Sequence, residues 1–370
     1  DSIGVLIAGR IVQGAGAAIG PLALGIARDT LPRERLAPGI GILVGAAGAG
    51  SAIGFLVSGI LVDELSVEAL FWVLFAVAIV LIGGVVALVP APPPRSRARV
   101  DLAGAVLVAS GLASLLLAIS KGNDWGWDSG RVVVLFAGAA ALLLAFMIVE
   151  NRVRAPLIEP AFIATRPFIQ AHVCALAVGV SFAAVVIVVP QIAALPEVTG
   201  YGLGYSVTST GLLLVPMALG SIVAAWIAGR VVDAAGPRAL MAVGSATALA
   251  AYLLLIAAHD SAAPIATGAA GVGLALGFTV TAIISVVARA APLDKTSAAV
   301  AVHSVVRTSG IAVGTAATAA IITGAGLVGP LPAESGYTDA FVMGAIASGC
   351  ALLVSALLPG RRYTDARTRS

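Results

Sequence analysis

The chain has 370 residues, of which 60% are hydrophobic and only 11% charged, and its 21 Lys and Arg against 18 Asp and Glu leave a formal charge of +3. A soluble domain carries about 25% charged residues, so with a mean hydropathy of +1.08 a soluble core protein is excluded. The basic excess marks no nucleic-acid binder either, because the basic residues are scattered over short connections and form no single patch.

A hydrocarbon core about 30 Å thick needs roughly 20 apolar residues at a rise of 1.5 Å each. Eleven stretches meet that length, at about residues 3–27, 37–62, 68–89, 102–120, 132–149, 168–193, 208–228, 239–257, 263–288, 297–324 and 340–358. The expected fold class is an all-α integral membrane protein with about 11 transmembrane helices. Of the 21 basic residues, 17 fall in alternate connections: Arg28, Arg33 and Arg35; Arg95, Arg97 and Arg99; Arg152, Arg154 and Arg166; Arg230 and Arg238; Arg289 and Lys295; Arg361, Arg362, Arg367 and Arg369. Only Lys121 and Arg131 lie in the other set, while Arg10 and Arg307 fall inside apolar stretches. The positive-inside rule places the first set and the C-terminus in the cytoplasm. Arginine in place of lysine, with abundant alanine, glycine and valine, points to a bacterial source, and so to the cytoplasmic (inner) membrane.

The first stretch carries Gly9-Arg10-Ile11-Val12-Gln13-Gly14. An arginine this far into an apolar run costs several kcal/mol by insertion scales and normally faces a bundle interior or a cavity; the competing reading is that Arg10 snorkels to the interface. Gln13 shares its helix face. The stretch is too long and glycine-rich for a cleavable signal sequence and reads as a permanent span. Eleven spans with a cytoplasmic C-terminus put Asp1 outside, so an odd number of further spans is expected to precede it.

The second stretch holds Gly41, Gly45, Gly48, Gly50, Gly54 and Gly59, a composition that lets another helix approach backbone to backbone. The loop from Gly122 to Trp127 reads as an aromatic belt. Pro190 and Pro216, in the sixth and seventh stretches, are expected to break their helices and line a cavity, with Gln191 as a candidate substrate contact or an interfacial anchor. Between the seventh and eighth runs the turn Gly229-Arg230-Val231-Val232-Asp233-Ala234-Ala235-Gly236-Pro237-Arg238. Its carboxylate either solvates the turn or pairs with an arginine or a helix N-terminus, the one opening near Ser297 being the candidate. In the tenth stretch His303 and Arg307 share a helix face four residues apart, where the imidazole is a packing residue or changes protonation during a cycle. All 18 acidic residues lie in loops or at span ends, so no mid-membrane carboxylate is present. Cys174 and Cys350 fall in apolar stretches and make no disulfide framework. No catalytic triad, metal cluster or phosphate loop occurs, so neither an enzyme nor a metal site is expected.

These motifs together resemble the major facilitator superfamily, particularly its fourteen-helix drug:proton antiporters of the EmrB/QacA type. The Arg10 stretch resembles the arginine motif of the family's fourth helix, which implies a proton-coupling role for Arg10 and Gln13. Gly45, Gly50, Gly54 and Gly59 resemble the antiporter motif of the fifth helix, with Phe55 in place of its proline and Ser58 in place of the first of its paired glycines. Gly229, Asp233, Gly236 and Arg238 match the second-half copy of the hallmark loop G-x-x-x-D-x-x-G-x-R. The run from His303 through Arg307 to Gly310 resembles a stretch of the thirteenth helix, with Arg307 expected as a pathway residue and His303 as a candidate in proton coupling.

On this resemblance the eleven spans are helices four to fourteen, and the chain is truncated at its start. Residues 1–90 are the second half of an N-terminal six-helix bundle, 91–100 a cytoplasmic linker and 101–150 two extra central helices. Residues 151–167 are a cytoplasmic connection, 168–360 a C-terminal six-helix bundle and 361–370 a cytoplasmic tail. The family's proton-binding acid, on its first helix, lies outside this chain. The implied function is proton-coupled export of hydrophobic or cationic drug-like compounds by alternating access. The protein would be a monomer in a lipid bilayer, with a small-molecule substrate, no nucleic acid and no cofactor beyond the proton gradient. Alternatives are a transporter of another solute, imported or exported, and a truncated, non-transporting membrane scaffold.

Overall fold

Long apolar runs bounded by capping residues become the helices of this chain. The computed structural model describes residues 3–89, 101–150, 152, 165–290, 296–329 and 331–357. Its α-helices in chain order are α1 Ile3–Gly14, α2 Ile19–Thr30, α3 Arg33–Glu64, α4 Val67–Leu88, α5 Leu102–Trp125, α6 Gly130–Glu150, α7 Arg166–Ala194, α8 Val207–Ala235, α9 Pro237–Ala257, α10 Ala262–Ala290, α11 Thr296–Gly324 and α12 Glu334–Ala356. A single 3-10 turn, Ala15–Ala18, joins α1 to α2 into one span, and among the described residues 11 spans are long and apolar enough to cross a membrane. Two short strands, β1 Leu327–Val328 and β2 Leu331–Pro332, make a small antiparallel hairpin between α11 and α12. The linker at 91–100, nearly all of the connection at 151–164 and the tail lie outside the described residues.

Local signals set several boundaries. Ser66 accepts from the Ala69 N–H at 3.1 Å to open α4, and Asp101 accepts from the Gly104 N–H at 2.9 Å to open α5, each satisfying a donor that a helix start leaves free. Gly236, at φ 83°, alone separates α8 from α9, and Pro237 begins the next helix; glycine takes that left-handed geometry without strain and proline suits a first helical position.

Helices α7 to α12 pack as one bundle. Its apolar interior forms two clusters, one around Val188, Ile192, Tyr252, Ile265 and Phe341, the other around Phe168, Met241, Ile283 and Val287. Lipid tails are as apolar as leucine, so close backbone approach and hydrogen bonds, rather than hydrophobicity, choose helix partners. A Cβ on Gly314 of α11 would lie 2.7 Å from Val180 Cα of α7, and one on Gly273 of α10 would lie 2.8 Å from Met217 Cα of α8. The buried Tyr252 hydroxyl donates to the Ser181 carbonyl and ties α9 to α7.

Helices α5 and α6 pair with each other, and α5 leans on α11. Asn123 fixes that contact, its Nδ2 donating to the Ala320 carbonyl at 2.6 Å and to Thr323 Oγ1 at 2.7 Å while its Oδ1 accepts from Trp127 Nε1 at 2.8 Å. The loop read as an aromatic belt therefore also joins two helices. Helix α3 lies along α8, whereas α1 and α4 bury none of their residues.

One expectation is corrected. Pro190 and Pro216 do not break their helices: α7 and α8 run through them without interruption. Around Pro190 the residues Val188, Val189, Ile192 and Ala193 are fully buried, and packing on both flanks holds a proline-containing span together.

Candidate functional site

The longest contact between the first part of the chain and the C-terminal bundle is the crossing of α3 with α8. It is built on small residues. A Cβ on Gly41 would come 2.9 Å from the Ala225 carbonyl oxygen and 3.3 Å from Gly229 Cα. One on Gly48 would meet Ile222 at 2.9 Å, and one on Gly59 would meet Thr208 Cα at 2.6 Å. In return, Gly211 of α8 receives the backbone of α3: a Cβ there would lie 3.1 Å from the Phe55 carbonyl carbon. Positions 41, 45, 48, 52, 55 and 59 recur at alternating steps of four and three, the spacing of one helix face. Gly50 and Gly54 lie off that stripe and have open space around them. The four glycines of the antiporter-like motif thus divide: Gly45 and Gly59 face α8, and Gly50 and Gly54 do not.

A carboxylate closes one end of the crossing. Asp63, in the last turn of α3, accepts from the Val207 N–H at 3.3 Å and the Thr208 N–H at 2.8 Å, the first donors of α8. Ser206 accepts from the Ser209 N–H at 3.3 Å within the same turn. Negative charge suits the positive end of a helix dipole. Sequence reasoning passed over Asp63, because an acid at the end of an apolar run looks like any solvated span end; only the adjacency of α8 gives it a partner.

At the opposite end stands the charged turn. Gly229 is buried where Gly41 approaches, Gly236 makes the reversal, and Asp233 and Arg238 are both exposed. Arg230 stacks on the Trp226 ring, its guanidinium carbon 3.6 Å from the centroid. Helix α11 opens at Thr296.

The in-span arginines differ. Arg10 is exposed, and its Nη1 donates to Gln13 Oε1 at 2.9 Å; the expected bundle-interior setting is absent, because α1 packs on no other helix extensively among the described residues. Arg307 is half-buried, and His303 is 2% exposed. His172 of α7 joins them, a residue that sequence reasoning missed, with ring centroids 6.1 Å apart and the rings edge to face. Its Nδ1 sits 2.8 Å from the Phe168 carbonyl, and its ring stacks on Phe168 at 3.9 Å. The available signal was depth: His172 lies in the second turn of α7 and His303 in the second turn of α11.

Gln191 sits at the far end of the bundle, where it accepts from the Tyr337 hydroxyl at 3.4 Å. Nearby, the Tyr201 hydroxyl donates to the Pro332 carbonyl at 2.6 Å, and burial, with the Glu334 carboxylate, pushes its pKa above the ordinary tyrosine value. Gln191 is not brought together with the other candidates. Among the described residues no group of three or more His, Cys, Asp or Glu is placed to hold a metal ion.

A family profile described as Major Facilitator Superfamily matches residues 1–315 and 171–370. The chain is 33% identical over 371 residues to the cephamycin export protein CmcT of Amycolatopsis lactamdurans, covering 91% of this chain and 70% of that protein. It is 29% identical over 248 residues to the tetracenomycin C resistance and export protein of Streptomyces glaucescens, covering 66% of this chain and 44% of that protein. Identity to multidrug resistance protein 3 of Bacillus subtilis (strain 168) is 25% over 252 residues, covering 68% of this chain and 48% of that protein. The matches thus span less than half the length of two of these three relatives.

Proposed function

This chain belongs to the Major Facilitator Superfamily, and we propose that it works as a secondary active transporter that exports hydrophobic, drug-like compounds in exchange for protons by alternating access. The observation that carries the reading is the α3–α8 crossing. Two bodies that rock against each other need a contact that forms and parts without unthreading large side chains. A glycine stripe on α3, with a carboxylate holding the end of α8, has that character. The names of the relatives, export proteins for two antibiotics and a multidrug resistance protein, support export and drug-like solutes.

In this reading the arginine-rich ends face the cytoplasm, and the Asp63 end faces outward. The contact between α3 and α8 then closes the outer side, and Asp233, with Gly229, Gly236 and Arg238, latches the inner side against the start of α11. The whole protein is of the fourteen-helix antiporter type, the eleven spans corresponding to helices four to fourteen, and it acts as a monomer. Arg10 and Gln13, hydrogen-bonded to each other, are assigned to proton coupling.

The test is proton-driven efflux by the full-length protein in inverted membrane vesicles. Arg10→Ala is expected to abolish efflux while leaving insertion into the membrane unchanged. Efflux at the wild-type rate in that variant would remove Arg10 from the mechanism.

A further inference from the structure

Among the described residues, the charge held within the C-terminal bundle around Arg307 is one-sided. Arg307 forms no ion pair with any acid among the described residues, whose ion pairs are Lys121 with Asp124 and His259 with Glu334. Among the described residues the groups that act electrostatically on His303 are Arg307 and His172, two bases and no carboxylate. Both ring nitrogens of His303 and the Nε2 of His172 are buried without a hydrogen-bond partner, and the two residues are 2% and 8% exposed. Nearly all buried polar groups in folded proteins are paired, so three unpaired ring nitrogens beside an uncompensated guanidinium call for a missing partner.

The chemistry of the three groups fixes the sign of that partner. A guanidinium offers only donors, in a planar fork that matches two carboxylate oxygens. His303 adds an N–H in either tautomer, and His172, whose Nδ1–H donates to the Phe168 carbonyl, adds its Nε2–H when charged. An ammonium group would meet a like charge and no buried carboxylate. Helix α11 also stands where the parts of the molecule join, packed on α7 and touching α2 and α5. Arg307, half-buried, is the exposed edge of the cluster, with His303 behind it.

We infer that His172, His303 and Arg307 form an anion site that receives the carboxylate, or an equivalent oxyanion, of the transported solute. The preferred solutes are therefore amphiphilic organic acids, not cations. This inference rests on the transport reading and narrows it.

Equilibrium binding to the purified full-length protein tests it, with radiolabelled 2-naphthoate and 2-naphthylmethylammonium as probes of matched body and opposite charge. Naphthoate is expected to bind and the ammonium compound not to. Arg307→Lys, which keeps the charge and loses the fork, should weaken naphthoate binding about tenfold, Arg307→Met should abolish it, and His303→Leu should weaken it. An unchanged melting temperature in Arg307→Lys separates lost binding from lost folding. Equal binding of both probes, or wild-type naphthoate affinity in both Arg307 variants, overturns the site. Displacement of naphthoate by an equal concentration of chloride would assign the cluster to an inorganic anion and overturn the solute class. Binding with the expected signs by protein that moves no naphthoate in proteoliposomes supports the site while refuting transport.

Discussion

Asp63 shows how much one carboxylate can do when it ends one helix and begins another. Its two oxygens take the first two donors of α8, so this end of the crossing is held by hydrogen bonds that the proposed rocking would have to break and remake. Removing both acceptors should loosen this end without disturbing the glycine stripe. In a background with the exposed Cys350 replaced, a cysteine at Val207 is expected to react several-fold faster with a membrane-impermeant thiol reagent in Asp63→Ala than in the parent. Glu64→Ala, one residue on, should leave the rate unchanged. Equal rates in all three would mean that Asp63 does not hold the two helices together. Neither Asp63 nor His172 stands out in the sequence, and for the same reason. A polar residue at a helix end takes its meaning from the helix it meets, and a single sequence does not say which helix that is.

At the scale of elements, α3 sorts its glycines by face. Gly59 leaves no room for a side chain against Thr208, whereas Gly54 has open space. Forcing bulk into a packed contact typically costs about 1–3 kcal/mol. Gly59→Leu is therefore expected to lower the melting temperature of the purified protein and to stop transport, and Gly54→Leu to do neither; matching effects from the two would contradict the stripe. The glycine richness of this segment was plain in the sequence, but its direction was not. A family motif read as a line of positions mixes the face that meets α8 with the face that does not, and helical phase separates them. The prolines mislead in the opposite sense. Pro190 and Pro216 removed a hydrogen bond each but broke nothing, because the neighbouring helices hold both flanks.

For the whole molecule, the eleven spans were legible because the bilayer leaves little choice: backbone polar groups must be satisfied within the segment, and only a long apolar helix does so in hydrocarbon. The pairing of those spans was not legible. The partner of α3 is α8 and that of α7 is α11, choices made by small-residue surfaces that many spans share. The central claim is that α3 and α8 form a contact that opens and closes during transport. Spin labels at Leu65, just past the end of α3, and Val198, in the connection that leads into α8, 68% and 91% exposed, measure it by pulsed electron–electron distance measurements on the full-length protein in nanodiscs. Alternating access predicts two distance populations whose ratio changes with pH and with added solute. One unchanging population under all conditions would contradict it and leave α3 and α8 as parts of a rigid scaffold.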